Sequence, residues 1–143
     1  MPPHVPELPH LRMFTARGAL KVVTAQGHTL YNGSTGFSIH NCTIGAASKL
    51  VTTNYSVKTF LGHPWKGFSR TVYMQSYVKR MVEAVGWMTW NDSFALSTLY
   101  YGEYQNYAPS TTKSGRVQWL GHRLMNMTNA YKFTVNNFIT GEV

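Results

Sequence analysis

The chain has 143 residues, a length that suits one domain with a single core. Hydrophobic residues make up 43% and charged residues only 13%, so the composition indicates a folded chain and argues against intrinsic disorder. Thirteen Lys and Arg residues against five acidic ones give a net charge of +8, which predicts attraction to nucleic acid, anionic lipid or acidic polysaccharide without choosing among them.

The rarest side chains exclude several kinds of site. Asp92 is the only aspartate, so a mechanism that needs two aspartates within one chain is excluded. Cys42 is the only cysteine, which excludes an internal disulfide, a multi-cysteine zinc site and a redox pair. The histidines are too scattered in sequence to suggest a metal site, and we expect none.

Residues 1–20 predict a proline-rich, disordered leader. Four prolines within the first nine residues remove backbone donors and disfavour a helix at the residue before each. No apolar run there is long enough for a signal peptide, and no segment approaches the ~20 apolar residues of a membrane-spanning helix. Five Asn-x-Ser/Thr triplets nevertheless hint at secretory ancestry.

Residues 21–93 predict an all-β region of short strands. Gly, Asn, Ser and Pro separate the apolar segments KVVTAQG, GFSIHNCTIG, KTFLG, RTVYMQSYV and GWMTW. In FSIHNCTI the alternation of Phe37 and Ile39 slips across His40 and Asn41, which indicates a bend or bulge. Such strands can form a sandwich, a barrel or a solenoid, and no internal repeat at a fixed period favours the solenoid.

Residues 94–143 predict C-terminal loops and short helices packed on the β region. Four tyrosines fall within eight residues from Tyr100, and we interpret them as a packed flank rather than a ligand platform. A Pro/Ser/Thr loop follows. We expect a short helix around residues 128–133 and a one-turn helix, capped by Thr134, that ends at Phe138.

The usual signatures of a nucleophile or cofactor are missing. The chain has no Gly-x-Ser-x-Gly, no glycine-rich phosphate loop and no His-Glu-x-x-His. His40 and Cys42 are two residues apart on a predicted strand and could form a base and nucleophile pair, but a buried structural thiol is the favoured interpretation.

Three tryptophans stand out as candidate binding residues. Trp65 follows a proline in a glycine-flanked loop, and Trp87 and Trp90 bracket two residues after a glycine. Exposed indoles stack on sugar rings or bases, and Lys66 and Arg70 would add attraction for anions. For any single tryptophan, a core or anchoring role is the alternative interpretation.

Several long segments together resemble one family. KVVTAQGHT, TGFSIHNCTI, KTFLGHPWKGFSRTVYMQSYV, GWMTWNDSFALSTLYYGEYQNYAPSTTKSGRVQW and AYKFTVNNFITG are similar, in order, to the C-terminal part of the plant pectin methylesterases, or pectinesterases. The resemblance runs from about Lys21 to Gly141 and implies a right-handed parallel β-helix, here truncated at its N-terminal side.

The resemblance also implies a chemistry. The family removes methyl esters from homogalacturonan in the cell wall with one aspartate as nucleophile and another as general acid/base, glutamines at the oxyanion site and an arginine that orients the nucleophile. It needs no metal or organic cofactor. The implied location is extracellular, and the implied partners are pectin and a pectinesterase inhibitor protein.

The sequence departs from the family at its catalytic positions. The Gln-Asp-Thr-Leu and Asp-Phe-Ile-Phe-Gly motifs, which carry the family's aspartates and glutamines, are absent. His63 stands in LGHPW where the family has arginine, and His28 likewise replaces an arginine in TAQGHT. Histidine lacks the five-donor fork of arginine, so His63 stands at the position of the catalytic arginine but cannot orient a carboxylate as arginine does. Trp65 and Trp87 match the family's substrate-contacting aromatics.

Three hypotheses follow. The chain is a pectinesterase-family fragment without esterase activity, or a non-catalytic module that binds pectate through Trp65, Trp87 and its positive charge, or a product with little function of its own. No recognised module supports a nucleic-acid partner, and no membrane partner is expected.

Overall fold

The chain is described from a computed structural model that covers residues 10–13, 20–31, 33, 35–46, 58–107 and 115–139. Nine short strands and two short helices make up its regular structure there. The strands are β1 (His10–Met13), β2 (Lys21–Thr24), β3 (Phe37–His40), β4 (Thr43–Ala46), β5 (Thr59–Gly62), β6 (Arg70–Met74), β7 (Tyr77–Val78), β8 (Tyr100–Tyr104) and β9 (His122–Leu124). The helices are α1 (Met127–Tyr131) and α2 (Val135–Ile139).

The strands form three parallel sheets that the chain visits in turn. The first sheet has the order β1-β4-β7, the second β2-β5 and the third β3-β6-β8-β9. Each strand pairs in parallel with the strand one coil further along the chain. This arrangement is the parallel β-helix that the resemblance implies.

The length of a coil varies along the helix. The step between paired positions is 38 residues from β2 to β5, 34 from β3 to β6 and 30 from β6 to β8. Because the connecting loops absorb these differences, the solenoid has no fixed sequence period, and a search for repeats does not find it.

The corners between the third and first sheets are tight and stacked. Asn41, Gln75 and Gln105 occupy equivalent corners of successive coils, with φ values of 57°, 48° and 49°. The His40 ring lies 2.8 Å from the amide oxygen of Gln75, whose Nε2 donates to Gln105 at 3.2 Å. The bend predicted within FSIHNCTI is this corner, and the slip in alternation arises because β3 and β4 belong to different sheets.

Two apolar clusters hold the coils together. The interior cluster stacks large side chains of successive coils, with Tyr73, Trp87 and Tyr101 at its centre. The outer cluster lies between the third sheet and the C-terminal helices, and Val72 and Phe133 are among its buried members. β6 therefore buries both of its faces, as its unbroken run of buried residues shows.

The structure differs from expectation at four places. β8 and β9 extend the third sheet within residues 94–143, where loops and short helices were expected, because their backbones pair with β6 and with each other. His10–Met13 form β1, paired with β4, inside the stretch predicted as a disordered leader, while the rest of that stretch, except residue 20, lies outside the described residues. GWMTW contributes a single bridge, from Trp87 to Gly62, rather than a strand. The predicted helices are present, but α1 begins at Met127 behind an Asn126 cap and ends at Tyr131, so it starts one residue and ends two residues earlier than expected.

None of the helices in the part of the chain that the structure covers has the length and apolarity needed to cross a bilayer.

Candidate functional site

The loop after β5 carries the candidate residues and is fixed to the previous coil. Gly62 ends the strand where a Cβ would meet Oγ1 of Thr24 at 2.3 Å, so only glycine fits. The amide of His63 then donates to the Thr24 carbonyl at 3.1 Å, and that of Trp65 donates to the Gln26 carbonyl at 3.4 Å. Backbone pairing thus continues past the strand and presents residues 63–66 at its C-terminal end.

His63 is packed under Trp90. Only 7% of its surface is exposed, and its ring stacks on Trp90 with centroids 4.6 Å apart and planes 11° from parallel. Nδ1 is buried and has no hydrogen-bond partner among the described residues. The buried His63 side chain therefore contacts an indole.

Two exposed indoles and a cation adjoin His63, since Trp90 stacks on its ring and Trp65 and Lys66 follow it in the same loop. Trp65 is 54% exposed and Trp90 is 56% exposed. Nζ of Lys66 lies 5.4 Å from the centroid of the Trp65 ring, within cation–π range. The indole of Trp65 rests over Gly27, where a Cβ would approach Cε3 to 2.9 Å. We call Trp65, Lys66 and Trp90 the Trp65 surface.

Trp87 lies in the core instead of a groove wall. Its exposure is 1%, and its ring stacks on Tyr101 at 4.1 Å between centroids. Its Nε1 donates to Oε2 of Glu103 at 3.2 Å. This placement differs from the expectation that Trp87 contacts substrate, because a ring enclosed on both faces has none to offer a sugar.

Glu103 is the centre of a buried polar cluster behind Trp87. Nε of Arg116 donates to both carboxylate oxygens at 3.0 and 3.1 Å, and Nε2 of His122 lies 2.9 Å from Oε2. Burial acts to raise the pKa of Glu103, but the bond from His122 and the charge and bonds of Arg116 outweigh it and hold that pKa below its ordinary value. The carboxylate is fully engaged in structure.

The remaining candidates are not brought together as a catalytic group. Sγ of Cys42 donates to the backbone carbonyl of His40, while the His40 ring is bonded to Gln75 on the surface, so the two do not form a base and nucleophile pair. Burial raises the pKa of the Cys42 thiol, which disfavours the thiolate. Among the described residues no three His, Cys, Asp or Glu side chains are grouped to hold a metal.

Sequence reasoning missed the stacking of Trp90 on His63 and a basic cleft between the third sheet and its loops. The sequence makes Trp90 a candidate aromatic, but no spacing rule links it to His63, because the two residues meet only through the loops of adjacent coils. Arg70 and Arg123, which line this cleft, are also far apart in sequence, and only the pairing of strands in the third sheet brings them together.

Comparisons with known proteins agree with this architecture. The sequence model of a family described as Pectinesterase matches residues 12–142. The chain is 56% identical over 120 residues to probable pectinesterase/pectinesterase inhibitor 41 of Arabidopsis thaliana, covering 84% of this chain and 21% of that protein. It is 50% identical over 120 residues to pectinesterase 2 of Citrus sinensis, covering 83% and 24% respectively.

Solved structures give the same result. Pectin methylesterase from carrot superposes with a TM-score of 0.85 at 45% identity, over 93% of this chain and 42% of that one. The Aspergillus niger enzyme superposes with a TM-score of 0.66 at 26% identity, over 85% and 36%. The chain thus spans about a fifth to a quarter of the length of the two plant relatives and less than half of either solved chain.

Proposed function

The chain belongs to the pectinesterase family, and we propose that its ligand is pectin and that these 143 residues do not by themselves cleave the methyl ester. The observation that carries the second part is the environment of His63. Its ring is stacked on Trp90, and its buried Nδ1 contacts no carboxylate among the described residues. The family's ester chemistry requires two carboxylates in different protonation states at that place.

Glu103 and Asp92, two of the acids in the part of the chain that the structure describes, do not supply that pair. Glu103 is buried and held by Arg116, His122 and Trp87, so its lone pairs are committed. Asp92 is exposed on a loop, at a backbone φ of 48°. A nucleophilic carboxylate needs a fixed, partly desolvated position beside the ester carbonyl, and an exposed loop residue lacks one.

We expect purified chain to release no methanol from methylated pectin above a heat-treated control. The variant His63→Arg should also release no methanol, because it adds a guanidinium group but no nucleophilic aspartate for that group to orient. Methanol would be measured enzymatically over a range of pH, with an active plant pectinesterase as the positive control.

Circular dichroism and a cooperative thermal melt would establish that both samples are folded. Methanol release by the unaltered chain would refute the proposal outright. Release by His63→Arg alone would show instead that a carboxylate of this chain serves as nucleophile, and Asp92→Asn in the His63→Arg background would then identify or exclude that residue.

The Trp65 surface supports a second function, the binding of pectate without cleavage. Trp65 and Trp90 are each more than half exposed, Lys66 lies over the Trp65 ring and Trp90 stacks on His63, on a chain of net charge +8. Indole faces stack on sugar rings, and the positive charge attracts the carboxylates of de-esterified pectin. Unlike the expected groove, this surface contains Trp90 in place of Trp87.

We expect the chain to co-sediment with de-esterified pectin at low salt and to be released as ionic strength rises above about 0.1 M, where charges are screened within roughly 10 Å. A basic protein of similar size and charge without exposed indoles serves as the control. Equal retention of that control, or no retention of the chain, would contradict the proposal.

The proposed pectin ligand also suggests a location and a protein partner for the chain. We propose that the chain acts at the plant cell wall, where its ligand is found. A pectinesterase inhibitor protein is a further proposed partner, supported by relatives whose names combine pectinesterase with pectinesterase inhibitor.

A further inference from the structure

A cleft separate from the Trp65 surface lies on the outer face of the third sheet, near the N-terminal ends of its strands. It is a cleft of about 420 Å³, in the lower part of the range of about 300–1,000 Å³ typical of small-molecule sites. The loop after β2, the loop before β8 and strand β9 form its walls. We call it the Arg70–Arg123 cleft, and none of the Trp65 surface residues lines it.

The register of the sheet places two guanidinium groups in this cleft. Arg70 is paired with Tyr100 across β6 and β8, and Arg123 lies opposite Gly102, two residues further on. Since side chains two apart point to one face, Arg70, Tyr100 and Arg123 project together. Cζ of Arg123 lies 4.9 Å from the centroid of the Tyr100 ring, and Arg70 packs its side-chain carbons against Gly36.

Both cations have donors left for a ligand. Nη2 of Arg70 donates to the Gly33 carbonyl at 3.0 Å, which fixes the fork and uses one of its five donors. Burial raises the pKa of the Tyr100 hydroxyl, while Arg123 and then Arg70 act to lower it, as expected if both charges lie close to that ring. None of the nine described residues that line the cleft is acidic.

The opposite wall is aromatic. Tyr31 is 79% exposed and meets Phe68 edge to face, with centroids 5.8 Å apart. Behind them, His28 is buried, and its Nδ1 bonds the hydroxyl of Thr35. The cleft therefore offers an open ring face on one side and a pair of arginines on the other.

We propose that the Arg70–Arg123 cleft binds the free carboxylate of an acidic sugar, with the two guanidinium groups on the carboxylate and the Tyr31 ring against the sugar. This inference rests on the proposed pectin ligand for its choice of sugar. An arginine fork matches the planar carboxylate and not its methyl ester, so the cleft distinguishes de-esterified from esterified units. A simple inorganic anion would use the arginines and leave the Tyr31 face empty.

The test titrates the 143-residue chain with trigalacturonic acid at low salt and follows binding by calorimetry. We expect Arg123→Gln to weaken binding about five- to tenfold, because an exposed charged hydrogen bond is lost, and Arg70→Gln to weaken it similarly. Arg80→Gln, which removes the same charge from an exposed position outside the cleft, should change affinity less than about twofold. Arg123→Lys should recover only part of the loss.

Three comparisons decide the outcome. Fully methyl-esterified trigalacturonate should bind at least about tenfold more weakly, and free sulfate should compete poorly. Equal losses in Arg123→Gln and Arg80→Gln, equal binding of acid and ester, or full competition by sulfate would each overturn the inference. If Trp65→Ala abolishes trimer binding while Arg123→Gln leaves the affinity unchanged, the cleft is refuted and the proposed pectin ligand still stands.

Discussion

Glu103→Ala should lower the free energy of unfolding by about 3–5 kcal/mol, the cost of removing one partner from a buried charged cluster. The variant leaves the Arg116 guanidinium and the Trp87 indole N–H without their acceptor at positions almost closed to water. For a chain of this size, that loss lowers the melting temperature on the order of 10 °C. Urea denaturation followed by tryptophan fluorescence measures it directly.

Two comparisons separate this cluster from a general charge effect. Glu103→Gln keeps an acceptor and the side-chain volume and should cost less than Glu103→Ala, whereas Glu83→Gln, half-buried outside the cluster, should stay within about 0.5 kcal/mol of the parent. An equal cost for Glu83→Gln and Glu103→Ala would contradict the structural role of the cluster.

The same carboxylate makes stability depend on acidity. Because the folded pKa of Glu103 lies below its ordinary value, its contribution is complete above the unfolded pKa of about 4.3 and is lost as the pH falls through the folded pKa. The difference in melting temperature between the parent and Glu103→Gln should therefore narrow in acid. A difference that stays constant from neutral pH down to pH 3 or so would argue against a lowered pKa.

The sequence predicts where the strands lie, but it does not predict which strands pair with each other. Short apolar runs between glycine and asparagine locate β2, β5 and β6, and the slip at His40 and Asn41 marks a corner. Which strands pair depends on contacts 21 to 38 residues apart, with a step that changes along the third sheet and differs in the second. Local pattern carries no such information, so resemblance to a family predicts the solenoid and periodicity does not.

The candidate site shows the same limit more sharply. The loop position of Trp65 and its exposure follow from a proline and glycines around it. Trp87 has an equally glycine-flanked setting, yet its ring is buried because Tyr101 and Glu103, supplied by the next coil, enclose it. Burial of an aromatic in a β-helix is decided by the neighbouring coil, which a single stretch of sequence does not identify.

Two tryptophan variants should therefore lose different properties, one its stability and the other its pectate binding. Trp87→Ala should cost about 3–5 kcal/mol of stability, since it empties a fully packed aromatic site and removes a hydrogen bond to Glu103. Trp65→Ala should cost less than about 1 kcal/mol, because its ring is more than half exposed, but should weaken pectate binding by roughly fivefold or more.

Urea denaturation and co-sedimentation of the same two preparations measure both properties, and the crossed pattern is what assigns the roles. Trp87→Phe serves as the matched control, since it refills most of the volume and should recover stability with binding unchanged. If Trp87→Phe is stable yet loses pectate as severely as Trp65→Ala, the ring of Trp87 contacts the ligand after all, and its enclosed position must open during binding. If neither variant changes pectate binding, the Trp65 surface is not where the polymer is held.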